Sequence, residues 1–157
     1  MTDSVSAIVT FLATSVVAGL LGVAALEAVM WLVARGISSR ANMVVAIGSL
    51  MTRSLENALI VGAFVHAAAA IAFSTLYSLL MLAAGLTSLP EAFMVGLGFG
   101  ILHGIVVSLM LVWIVSDTHP LTEFKSASLA VGLCHFAGHA AYGAVVGYDI
   151  TVTGGSN

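Results

Sequence analysis

The side chains that could do chemistry in this sequence are few, and they are concentrated in apolar surroundings. Of five histidines, His66, His103, His135 and His139 fall inside long apolar runs, and only His119 is in a connection. Glu27 is the one charged-type residue well inside such a run. Neutral imidazole is the commonest metal ligand, and a carboxylate can complete its sphere. His135 and His139 stand at i, i+4, which puts two imidazoles on one helix face, where they can share an ion. Three histidines and one glutamate around zinc, iron or copper is an ordinary coordination set. His66, His103 and His139 are its core, with His135 and Glu27 as further ligands or close supports. A bis-histidine haem b is the second cofactor reading. Glycines near His103 and His139 would give a macrocycle room, and Arg35, Arg40 or Arg53 could meet its propionates. Ligation of a chlorophyll-type pigment stays open. Cys134 neighbours His135 but points about 100° away around a helix, outside that sphere. Glu56, at the start of the second run, is a possible gateway or supporting group.

The same residues have plainer roles. A single intramembrane histidine can simply hydrogen-bond a neighbour such as Ser74, Ser78, Tyr77 or Tyr142. The glycines are first of all packing positions. Met30, Met81, Met94 and Met110 read as filler and lipid contact before they read as a copper path. Met43 and Met51 need no metal role. Asp117 to Pro120 reads as a helix stop at the surface, with His119 and Asp117 available to sense pH.

The elements that must position these groups follow from composition. The chain has 157 residues, 61% hydrophobic and 7% charged, with a mean hydropathy of +1.16. A soluble domain carries about a quarter charged residues, so a water-soluble globule is excluded. Four Lys+Arg give no electrostatic basis for nucleic-acid binding. One cysteine rules out an internal disulfide and a Cys-rich zinc site. Four apolar runs, at about 7–34, 57–85, 92–116 and 126–148, each exceed the roughly 20 residues that cross a hydrocarbon core as a helix. None alternates like a barrel strand. The expected fold is all-α: one integral membrane four-helix bundle. Thr87 to Glu91 makes the turn into the third helix, and Pro120 ends it. The first run has no basic flank and is too long for a signal-peptide core, so it is read as a retained span. Asn42 to Met51 is apolar but too short to span; a short helix in the interface, or folded against the bundle mouth, is expected between helices 1 and 2. Thr153 to Asn157 reads as a frayed polar tail.

Arg35, Arg40, Arg53 and Lys125 all fall on connections at one end, which the positive-inside rule makes cytoplasmic, with both termini outside. Trp31 and Trp113 sit near the same end, as an aromatic belt would. At about 1.5 Å per residue from that end, Glu27 lies about 11 Å deep, His135 about 13 Å, His66 about 14 Å, His103 about 18 Å and His139 about 19 Å. One slab roughly 8 Å thick thus holds five ionisable groups, with every helix contributing. Ionisable groups inside a span are costly and by default functional. Gly96, Gly100 and Gly104 on helix 3, and Gly132, Gly143 and Gly147 on helix 4, mark contact faces on which the histidines also lie. Their rings therefore point into the bundle.

Several stretches carry a family likeness: Ile47-Gly48-Ser49-Leu50, Val65-His66, Leu102-His103-Gly104, and Gly138-His139-Ala140-Ala141-Tyr142-Gly143 leading into Val146-Gly147. In these, over most of its length, the chain resembles small bacterial and archaeal four-span proteins of the YagU-like group. The likeness implies an integral four-helix protein of an inner membrane with recurring intramembrane histidines. It implies no activity, and Glu27 and His135 lie outside its pattern.

Three functions compete on these residues. The first is binding of a transition metal or haem, with a redox, metal-handling or cofactor-bearing role. The second is a non-catalytic accessory subunit of a larger membrane complex, against which a stable monomer or homodimer would count; as partners, other membrane subunits and a homo-oligomer both stay open. The third is a proton or small-solute conduit through Glu27 and the histidines, though no inverted repeat is detectable. There is no Gly-x-Ser-x-Gly, phosphate loop or His-Glu-x-x-His motif. An open position on a buried metal is the one route to catalysis left.

Overall fold

The computed structural model describes residues 2–36, 43–125 and 128–154. Arg40 and Asn42, the first two residues of the fourth apolar run and the end of the polar tail lie outside them. The described residues form α1 (Thr2–Gly36), α2 (Met43–Thr52), α3 (Ala58–Ala83), α4 (Glu91–Met110), α5 (Ser116–Thr118) and α6 (Leu129–Gly154). A π-helical turn, Leu111–Val115, joins α4 to α5 without a break. A 3-10 turn, Thr122–Phe124, precedes α6. There is no strand among the described residues. Among the described residues, four helices are long and apolar enough to cross a membrane: Ser4–Gly36, Ala58–Ala83, Glu91–Thr118 and Leu129–Val152. They overlap the four apolar runs of the sequence. The fourth runs past its expected end at Tyr148, carrying Asp149 within the helix and taking up the start of the polar tail. The spans turn apolar side chains outward, as lipid contact requires: Ile60, Phe64, Leu102, Trp113 and Leu129 are 63 to 75% exposed.

Local chemistry sets the boundaries. α3 ends in a Schellman motif: Gly85 takes φ +70°, its N–H donates to the Leu82 carbonyl, and the Leu86 N–H donates to the Met81 carbonyl. Glycine reaches that left-handed conformation without a Cβ clash. At the other end of the bundle, His119 is extended (ψ 133°), as the residue before a proline must be. That stops the third span.

Side-chain size then decides which helices touch. α6 is the hub, packing along both α4 and α1, while α1 also packs on α3. α3 and α4 meet only lightly, so the order around the bundle is α3, α1, α6, α4. The α4–α6 contact is backbone on backbone. A Cβ on Gly100 would strike the His139 carbonyl, one on Gly143 the Gly96 carbonyl, and one on Gly147 the Ala92 carbonyl. α1 meets α6 where Gly22 receives the Tyr142 ring. It meets α3 where Gly19 lies on Ile71 and Ala70 and where the Ser74 hydroxyl donates to the Ser15 carbonyl at 2.7 Å. Lipid gives no hydrophobic drive to helix association, so this close approach and these bonds hold the spans together.

α2 is folded against the bundle mouth rather than lying free in the interface. Gly48 is pressed on the Ala58 backbone and Gly62 on that of Val44. His119 pins α2 from the other side. Its Nδ1 accepts the Leu121 N–H at 3.1 Å, so Nε2 carries the proton, which it donates to the Ala46 carbonyl at 3.1 Å. His119 is fully buried, which corrects the expectation of a surface helix stop: two backbone groups need its ring inside.

Gly100→Leu is expected to lower stability in detergent by about 1–3 kcal/mol or more through overpacking. Gly98, with nothing within 4 Å of an added Cβ, is the control, and Gly98→Leu should stay within about 0.5 kcal/mol. Thermal unfolding followed by circular dichroism reads both.

Candidate functional site

The bundle holds a half-open chamber of about 160 Å³, in the half nearer α2, to which five helices contribute. His66 and Phe73 face it from α3, His103 and Val107 from α4, and His135, His139 and Tyr142 from α6. α1 gives Val23 and Leu26, and α2 closes it with Met43 and Ile47. The four intramembrane histidines therefore share one cavity, and their rings point inward. Beyond it toward the other membrane face the core is shut by Met81, Ala92 and Val146, each 0% exposed, and by the glycine-to-backbone contacts of α4 and α6.

How each imidazole is held determines what it can do. His135 sits one turn after Val131, and its Nδ1 lies 2.7 Å from the Val131 carbonyl. His139 repeats the pattern on the His135 carbonyl at 2.8 Å. A carbonyl only accepts, so each Nδ1 carries the ring proton, and each neutral ring keeps a bare lone pair on Nε2. In His135, which is 1% exposed, that Nε2 is buried without a partner. His103 Nδ1 lies 2.8 Å from the Tyr77 hydroxyl, and that hydroxyl in turn reaches the Phe99 carbonyl at 3.4 Å. The Tyr77 hydroxyl has one proton: given to Phe99 it leaves His103 with Nδ1–H and a bare Nε2, and given to His103 Nδ1 it puts the ring proton on Nε2. His66 Nδ1 stands 3.0 Å from Glu27 Oε1. The contact has ion-pair distance but not hydrogen-bond alignment, and both atoms lack a hydrogen-bond partner. All four histidines thus turn Nδ1 toward a fixed polar neighbour.

The rings are close but not gathered to a point. His103 and His139 have centroids 4.7 Å apart at 60°. His135 is within electrostatic range of His139, His66 and Glu27. Among the described residues, no three of His, Cys, Asp and Glu are placed to hold one ion. Glu27 supports His66 from behind and does not line the chamber. Cys134 is fully buried and also lies off the lining. Glu56 is exposed at the start of α3, and the Arg35 guanidinium lies 3.9 Å over the Trp31 ring. Of the plainer hydrogen-bond partners considered for the histidines, Tyr77 serves His103. Tyr142 donates instead to the Ala70 carbonyl.

Sequence reasoning missed the share taken by α2. Met43, expected to have no part, is in the chamber wall with Ile47. The available signal was Gly48 on a short apolar helix, with Gly62 on the next span as its counterpart. No family model, curated protein or solved structure matches the chain.

The tautomers can be read directly. Nitrogen-15 spectra of histidine-labelled protein in bilayers are expected to give the Nδ1–H form for His135 and His139, and the Nε2–H form for His119. The opposite pattern at His135 and His139 would remove their lone pairs from the chamber.

Proposed function

We propose that this chain is a membrane-embedded binding protein for a transition-metal ion, taken up in the four-histidine chamber. The observation that carries the reading is the tethering of Nδ1. Metal-ligating histidines nearly always hold their other ring nitrogen on a carbonyl, a carboxylate or a hydroxyl-type partner, which fixes the ring and raises its basicity. Here His135 and His139 use carbonyls, His66 faces a carboxylate, and His103 uses Tyr77. The Nε2 lone pairs of these residues are the donors, and Glu27 supports His66. No reaction follows from such a donor set alone, and binding is all that is proposed.

Size supports an ion over haem. A volume of about 160 Å³ matches a cavity that admits benzene, about 150 Å³. It falls short of the roughly 300 Å³ at which pockets for drug-sized ligands begin. The apolar closure beyond the chamber supports a dead-ended site over a conduit. By the positive-inside rule, the end bearing Arg35, Arg40, Arg53 and Lys125 faces the cytoplasm, so α2 closes the chamber on that side and both termini lie outside. The YagU-like resemblance agrees with a bacterial or archaeal inner membrane.

Elemental analysis of protein purified in mild detergent is expected to give near-stoichiometric metal. His135→Ala and His139→Ala should each weaken binding at least about tenfold, since loss of even a supporting partner costs about 10- to 100-fold. Metal-free wild type that takes up no added ion, or alanine variants with unchanged affinity, would overturn the reading.

A further inference from the structure

The chamber makes a demand that goes beyond the metal reading and does not rest on it. His135 is 1% exposed, and its ring proton is held by the Val131 carbonyl at 2.7 Å. Its Nε2 is buried without a partner, on a residue of the chamber wall. An imidazole nitrogen without a hydrogen can only accept. Whatever completes it must bring an O–H or an N–H.

The rest of the wall limits what can carry that proton. Among the described residues, no Asp, Glu, Lys or Arg side chain lines the chamber. Val23, Leu26, Ile47 and Val107 give it aliphatic surface, and Phe73 and Tyr142 give it aromatic rings. A charged molecule would meet no counter-charge there, and buried charge in a bilayer is costly. A volume of about 160 Å³ takes one aromatic ring, since an apolar cavity of about 150 Å³ takes benzene. Offset or edge-to-face packing on the wall's own rings adds to the fit.

The mouth fixes the route of entry. α3 and α4 touch only lightly. Phe73, on α3, bridges that seam: its ring is 4.2 Å from the His103 ring of α4. Phe73 lines the chamber and is also 37% exposed, so chamber wall and outer surface meet at this ring. About one turn along each helix, Leu76 and Val106 are 45% and 48% exposed. Such an apolar surface on spanning helices faces acyl chains. The chamber is therefore entered from the bilayer, and whatever exceeds one ring stays outside among the lipid tails.

We infer that the chamber binds the head of a lipid-soluble aromatic alcohol, a phenol or hydroquinone ring on an apolar tail. The ring packs on Phe73 and Tyr142, the hydroxyl donates to His135 Nε2, and the tail leaves beside Phe73 between α3 and α4. The proton stays on the ligand oxygen; binding alone is inferred. An ion and this hydroxyl would compete for the same lone pair.

The test uses the full chain, metal-free, in lipid nanodiscs, read by nitrogen-15 spectra of labelled histidine. Three probes are added at rising mole fraction of the lipid: para-hexylphenol, its methyl ether para-hexylanisole, and hexylbenzene. They share a ring and a tail, and only the phenol has a proton to donate. A saturable shift of the His135 Nε2 signal is expected with the phenol, and the other two should bind at least about tenfold more weakly, as loss of one hydrogen bond to a buried acceptor dictates. His135→Phe keeps an aromatic ring, removes the acceptor and should erase that preference. Ala69→Leu enlarges a wall residue and should weaken the phenol at least about tenfold by overpacking. It alters no imidazole, so it keeps the test open should His135→Phe fail to fold; circular dichroism establishes which variants are folded. Equal binding of the phenol and the ether, no saturation, a saturable shift at another histidine with none at His135, or a phenol affinity indifferent to Ala69→Leu overturns the inference. Metal uptake is decided separately by elemental analysis, so either proposal can fall alone.

Discussion

An imidazole carried into a bilayer has two nitrogens and, when neutral, one proton. Everything at the centre of this bundle turns on where that proton goes. α6 answers by its own geometry: the carbonyl one turn back lies within reach of Nδ1, so His135 and His139 are each held by their own helix. A neutral imidazole needs no counter-charge, which makes it affordable in lipid where a carboxylate or an ammonium is not. The consequence is a lone pair on Nε2, turned away from the helix and into whatever space the neighbours leave. In His135 that lone pair has no partner. A buried polar atom left unsatisfied costs about 1–3 kcal/mol.

The neighbours leave space because the helices touch so closely elsewhere. α4 and α6 meet backbone on backbone at Gly96, Gly100, Gly143 and Gly147, which seals the half of the bundle beyond Tyr77. Toward α2 the residues grow larger, and α3 and α4 barely meet. The chamber is the gap that results. Gly48 and Gly62 then let α2 press its backbone onto α3, and His119 fixes it from the opposite side through the Ala46 carbonyl. The closing helix is therefore held at two points, and its Met43 and Ile47 side chains are carried to the chamber wall.

Much of this was legible from residue types and spacing. The spans followed from hydropathy and length, since lipid admits little but helices. The inward facing of the histidines followed from their place on glycine-bearing faces, because small residues mark the contact side of a membrane helix. The depths agreed well enough to predict a common slab. What was not legible depends on contacts between residues far apart in the chain. His119 lies in a short connection beside a proline and looks like a surface residue; only the approach of Ala46, 73 positions away, makes it a buried clamp. Met43 belongs to a helix too short to span, and nothing in its own segment reveals that Gly62 will dock it over the chamber. The Tyr77–His103 bond likewise joins two spans. Conversely, the common slab did not guarantee a common point: the rings line one cavity without three of them converging, because His135 and His139 are held along α6 by carbonyls one turn back while His103 turns to Tyr77 and His66 faces Glu27.

The central claim is that the four imidazoles face one another across a single intramembrane space. Solid-state NMR in lipid bilayers, with labelled histidine side chains and spin-diffusion transfer between rings, tests it most directly. Cross-peaks are expected linking the His139 ring to those of His103 and His135, with His66 joining at longer mixing and the His119 ring isolated from all four. A spectrum in which the His66, His103 and His139 rings show no mutual transfer would contradict the shared chamber.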